Sequence, residues 1–147
     1  MAADGVVPTT GSTDEEFLRR ISLDLTGAQL VTLLQEQYSG ANATSAKVLQ
    51  VSAGLVYTTD QAQTGAAKVV VSSITVNGAA LDPAASYRIT VNNFLAGGGD
   101  GFSILTQGTN RLVGELDIDA FTQYLTANST PATPIAPPAA DRITFIN

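Results

Sequence analysis

The run Asn92-Asn93-Phe94-Leu95-Ala96-Gly97-Gly98-Gly99-Asp100-Gly101-Phe102 gathers the residues of this chain best suited to hold a ligand. Glycine adopts backbone angles closed to other residues and lets a ligand approach the main chain, so four glycines within positions 97–101 mark a shaped loop. Phe102 stands at the edge of that loop, where its ring either packs into the core or offers a face to a planar ligand. Asp100, set between glycines, either accepts hydrogen bonds from ribose or base donors or braces the loop's own amides. A phosphate cradle does not fit. It needs a helix opening directly after the glycines, with a lysine in nucleoside triphosphate loops, and Phe102-Ser103-Ile104-Leu105 has neither.

What the chain lacks narrows the chemistry further. It contains no histidine and no cysteine, which removes Ser-His-Asp and Cys-His nucleophile systems, imidazole- or thiolate-bound metals and disulfides together. Asp60, Asp82, Asp117 and Asp119 do not form the spaced acidic pattern of a calcium loop and read as turn and cap residues. A paired-carboxylate glycosidase has no tryptophan here to line a sugar cleft. No catalytic residue, metal ligand or cofactor is therefore expected within the chain. Thirteen acidic against seven basic side chains leave a net charge of -6, which repels nucleic-acid polymers and anionic membrane surfaces.

The elements that must position the loop can be read from the pattern. At 147 residues, 44% hydrophobic and 14% charged, the chain has the composition of one globular domain. Residues 1–19 read as a polar leader and residues 20–147 as the domain. No stretch approaches the roughly 20 apolar residues of a membrane span, and residues 1–5 show no export signal, which is expected to lie elsewhere if the protein is exported.

Ile21, Leu23 and Leu25 alternate with Ser22 and Asp24 as a half-buried strand does. Thr26 and Gln29 make a capping box, Leu25 is placed to staple against Leu30, and Leu30, Leu33, Leu34 and Tyr38 share a helix stripe that stops near Gly40. Val48 to Thr58 reads as a strand with a bulge at Gly54, and Val69 to Val76 as a β-branched strand closed by an Asn77-Gly78 hairpin turn. Tyr87, Ile89 and Val91 form the strand that feeds the glycine loop. Beyond it, Asp117 is expected to cap a helix bearing Ile118, Phe121 and Leu125. The proline-rich residues 130–139 form a packed return loop, and Arg142-Ile143-Thr144-Phe145-Ile146 a closing strand. These elements predict an α+β domain with a mixed or antiparallel sheet of about five strands packed with two main helices.

Taken together the motifs resemble the C-terminal domain of the 5'-nucleotidase and UDP-sugar hydrolase family, in which a strand, an Asn-x-Phe-Leu turn and a Gly-Gly-Asp-Gly-aromatic loop position a ring for stacking. Ser22 to Leu30, Leu49 to Tyr57, Val76-Asn77-Gly78 with Leu81-Asp82-Pro83, and Arg142-Ile143-Thr144 are similar to that family in the same order. The resemblance implies a domain that binds a nucleotide or nucleoside but is not catalytic alone, with Phe102, Asp100, Gly99, Gly101 and Asn93 as ligand-binding residues. It also implies a partner, an N-terminal metallophosphoesterase domain absent from this sequence that holds two divalent metals, and a periplasmic, secreted or cell-surface location. Two departures stand out. The family's other stacking aromatic precedes the Leu-Gln-Val stretch, where this chain has Lys47-Val48, and its Asn-to-Arg segment before the first strand is replaced by the leader. They point to an alternative, a structural or interaction module of an exported or surface protein that keeps the fold without a working pocket.

Overall fold

The computed structural model describes residues 18–147; residues 1–17, most of the expected leader, lie outside the described residues. The alternating segment becomes β1 (Arg19–Thr26), with Ile21, Leu23 and Leu25 buried. The capping box leads it straight into α1 (Gly27–Glu36): Gln29 N–H donates to Thr26 Oγ1 at 3.2 Å and Thr26 N–H to Gln29 Oε1 at 2.8 Å. There follow β2 (Leu55–Asp60), β3 (Val69–Val76), β4 (Ala79–Ala80), β5 (Ser86–Asn92), α2 (Asn93–Ala96), β6 (Thr109–Leu116), α3 (Asp117–Asn128) and β7 (Ile143–Ile146). The class is α+β, as the pattern predicts.

The strands form two sheets rather than one. β1 is the centre of an antiparallel sheet ordered β5-β1-β6, and the second sheet runs β4-β3-β2-β7, antiparallel except for the β2–β7 pair. α1 joins them. Its Leu30 and Leu33 enter a core of Ile21, Leu23, Leu25, Phe102 and Leu105, while Leu34 enters a second core of Tyr38, Tyr57, Val69 and Ile74. Full burial of each such leucine contributes about 1.5–3 kcal/mol. The helix start is seated on the turn before β5. Gly27 N–H donates to Ala85 O at 2.9 Å and Ala28 N–H to Pro83 O at 3.0 Å, so two orphan first-turn amides find acceptors. The hairpin turn has the expected positive φ at both residues, 51° at Asn77 and 80° at Gly78.

Four local features differ from the sequence reading. Residues 48–53 make no strand, because the Gln37 side chain takes the Leu49 amide. The irregularity placed at Gly54 lies between Val56 and Thr58, where Thr58 N–H donates to Ser73 Oγ at 2.8 Å. α1 ends at Glu36, short of Gly40. Leu116, not Asp117, is the N-cap residue of α3, and the Asp117 amide donates to Leu18 O at 2.8 Å. Among the described residues no helix is long and apolar enough to cross a membrane.

On the solvent side of the first sheet, Asp24 ties β1 to both neighbours. Arg88 Nη1 donates to Asp24 Oδ1 at 2.9 Å, Asn110 Nδ2 donates to Asp24 Oδ2 at 2.8 Å, and Arg88 Nη1 also reaches Asn110 O at 2.7 Å. The Asn110 and Arg88 hydrogen bonds hold the Asp24 carboxyl below its ordinary value of 3.8. A depressed carboxyl stabilises the fold above its unfolded pKa and loses that contribution as pH falls through the folded one. Asp24→Asn is therefore expected to remove part of the acid-side decline in stability below pH 3.8, measured by urea melts across the pH range. A second prediction concerns the helix seat. A Cβ at Gly27 would stand 2.1 Å from the Asp82 carbonyl oxygen, a backbone atom that cannot step aside, so Gly27→Ala should cost about 3 kcal/mol in denaturant unfolding.

Candidate ligand-binding loop

β5 delivers the chain to a single helical turn. Asn92 Oδ1 accepts the Leu95 amide at 2.8 Å and so caps α2 in the usual way for an asparagine, with its own backbone extended. The turn is anchored on both sides: Arg19 N–H donates to Asn93 Oδ1 at 2.9 Å, and Arg111 Nη2 donates to the carbonyl of the buried Ala96. Between these anchors Phe94 is 51% exposed. Its ring rests against the glycine loop. A Cβ at Gly99 would lie 2.6 Å from two Phe94 ring carbons, so only a residue without a side chain allows that approach. Gly101, at φ 81°, then turns the chain inward.

The residue after that turn corrects the sequence reading. Phe102 is 1% exposed and packed among Leu23, Leu25, Leu30 and Leu33, so its ring has no face to offer a ligand. The reason is local. The 3-10 turn at Ser103–Gln107 buries Ile104 and Leu105 as well, and the apolar trio 102, 104 and 105 plugs the core beneath the loop. The loop does present an aromatic ring, but it is Phe94. Asn92 as an N-cap was the available signal, because a capped turn of four residues, 93–96, lifts the side chain at 94 out of the strand.

Of the other expected residues, Asn93 spends its side-chain oxygen on β1, while Gly99 and Gly101 shape the backbone under Phe94 and Phe102. Asp100, at φ 56°, is held from two directions. Asn42 Nδ2 donates to its carbonyl at 2.8 Å, and Lys47 Nζ donates to its carboxylate. Both holds trace back to the end of α1. The buried Asn42 amide also donates to Glu36 O at 2.9 Å, and Lys47 N–H donates to Gln37 O at 3.1 Å. The Glu36 carboxylate accepts Ser103 Oγ at 2.6 Å and Ile104 N–H at 3.2 Å, fixing the far side of the loop.

Gln37, fully buried, completes this frame. Its Nε2 donates to Leu34 O at 2.8 Å and to Tyr57 Oη at 3.0 Å, and its Oε1 accepts the Leu49 amide at 2.7 Å. Burial pushes the Tyr57 phenol above its ordinary range, so the hydroxyl stays protonated. Lys47 is thereby set beside the loop, and Val48 next to it is 38% exposed. A separate open groove of about 360 Å³ runs between Val48, Val51, the residues 138–140 and Phe145 of β7; it includes neither Phe94 nor Asp100. Among the described residues no three histidine, cysteine or acidic side chains are grouped as metal ligands.

The model of the family described as 5'-nucleotidase, C-terminal domain, matches residues 19–107, more than half of the chain. This chain belongs to that family. The 5'-nucleotidase precursor from Thermus thermophilus superposes on 88% of it with a TM-score of 0.74 at 32% identity. A 5'-nucleotidase-related protein of Glossina morsitans morsitans is 30% identical over 134 residues, 86% of this chain, and a cell wall protein of Listeria monocytogenes 36% identical over 104 residues, 70% of it. The chain spans only 25%, 23% and 13% of those three proteins' lengths. The 5'-nucleotidase C-terminal fold thus accounts for the strand, the capped turn and the glycine loop as one unit.

The two rings of the loop should separate cleanly under mutation. Phe102→Ala is expected to cost about 3–5 kcal/mol in denaturant unfolding, as for a buried aromatic, whereas Phe94→Ala should shift stability by less than about 0.5 kcal/mol. Equal losses from the two substitutions would contradict this assignment.

Proposed function

We propose that this chain is the substrate-binding part of a 5'-nucleotidase-like phosphohydrolase, presenting Phe94 to the base of a nucleotide or nucleoside and leaving hydrolysis to a metallophosphoesterase domain. The observation that carries the reading is the Phe94 ring, half exposed and propped on Gly99 in the loop of a 5'-nucleotidase C-terminal domain. A base stacked on one aromatic face contributes about 1–3 kcal/mol and needs no particular hydrogen-bond pattern, which suits a site tolerant of base identity. Asp100, next to Gly99, supplies a carboxylate for ligand hydroxyl or amino donors. No catalytic residue is assigned to this chain.

The two divalent metals of such a hydrolase belong, in this reading, to the partner domain. The chain itself has no histidine to offer such a pair of ions. An exported location, periplasmic, secreted or at the cell surface, is supported by relatives that include a cell wall protein and a 5'-nucleotidase precursor. A second reading, an interaction module that keeps the fold without a working pocket, is favoured by Val48, an aliphatic side chain where the second stacking aromatic is expected.

Titrating the protein with AMP, adenosine and UDP-glucose while following amide chemical shifts decides between them. Base binding is expected to move the resonances of Phe94, Gly99 and Asp100, and Phe94→Ala to weaken it about five- to 150-fold. Silence of those residues at millimolar ligand would leave the interaction module as the function of this domain.

A further inference from the structure

We propose that Lys47 is a specificity-determining residue of the base-binding loop: by neutralising Asp100 it makes the site favour phosphorylated nucleosides over uncharged ones. The inference rests on the base-binding reading above. With a net charge of -6, the chain as a whole repels an anionic ligand, and a bare carboxylate at Asp100 would place one more negative charge beside the stacking ring. The distance is short. Phe94 packs on Gly99, and Asp100 is the next residue, about 3.8 Å further along the backbone. Asp100 and the ring thus share one short stretch of backbone, and the field of a carboxylate reaches over a Debye length of about 8–10 Å in ordinary buffers.

Lys47 Nζ donates to the Asp100 carboxylate and cancels that charge. Holding the loop together does not require this contact. Each partner is fixed by its backbone through another group, Lys47 N–H on Gln37 O at 3.1 Å and Asp100 O on Asn42 Nδ2 at 2.8 Å. The two side chains are 46% and 43% exposed, and an ion pair so open to water adds little stability. Its main effect is then on the field that a bound molecule meets. Lys47 occupies only Oδ1 of Asp100, so any contact of the other oxygen with a ligand donor is common to both ligands, and the charge effect falls on the phosphate dianion alone.

The experiment compares AMP and adenosine binding to the full chain and to its Lys47→Met and Lys47→Arg variants, by calorimetry or chemical-shift titration at about 50 and 500 mM salt. Lys47→Met is expected to weaken AMP about three- to tenfold at the lower salt while adenosine stays within about twofold, with the difference shrinking at the higher salt. Lys47→Arg should restore AMP binding, and the melting temperature should not move in either variant. Equal losses for both ligands would show that Lys47 merely supports the loop, and an unchanged AMP affinity would show that its charge is irrelevant; either overturns the proposal. If the unsubstituted chain binds neither ligand, the base-binding reading itself fails and this inference with it, whereas adenosine binding without an AMP-specific loss sinks this inference alone.

Discussion

The end of α1 is where the candidate site is decided. Within seven residues, the Glu36 carboxylate, the Gln37 carbonyl and the buried side-chain amides of Gln37 and Asn42 reach the 47–49 segment, Asp100, Ser103 and Ile104. A buried amide left unpaired costs about 1–3 kcal/mol, so each of these groups penalises any loop conformation that breaks its bonds. Hydrophobic packing would accept several arrangements of a glycine-rich segment. The polar frame accepts one, because the Asn42 amide has partners on two stretches of chain and the Gln37 amide on three.

That frame explains the division of labour between the two phenylalanines. Phe102 lies inside the sheet–helix core, where it fixes the depth of the loop, and Phe94 stands on the capped turn above it. Gly99 is the contact between the two levels, since the exposed ring sits where its side chain would be. The exposed ring thus has its position set by burial elsewhere, in the core that holds Phe102.

Much of this was legible in the residues. The alternation of β1, the Thr26–Gln29 box, the leucine stripe of α1, the Asn77-Gly78 turn and the strand before the glycine loop each carry a local signal that tertiary contacts do not override. The misses share a cause, which is that the deciding partner is distant in sequence. Residues 48–53 have strand composition, yet Gln37 takes the Leu49 amide; β6 is exposed on both faces, so it has no period-two pattern to read; and one sheet became two because α1 divides its leucines between them. At the loop, an aromatic followed by buried Ile104 and Leu105 looked the same, in one dimension, as an aromatic held out to solvent.

The parallel pairing of β2 with β7 sets an order of events. Tyr57 N–H donates to Arg142 O at 3.0 Å and Gln61 N–H to Ile146 O at 2.7 Å, so residues more than eighty positions apart share one ladder. Parallel strands that distant cannot meet until the intervening chain has been made and its closure entropy met by contacts already formed. During synthesis the outer flank of β2 therefore stays open, with its backbone donors and acceptors unsatisfied, after the first sheet and the glycine loop have every residue they need. β7 acts as a seal, and until it closes the open flank of β2 is exposed to pairing with the wrong chain.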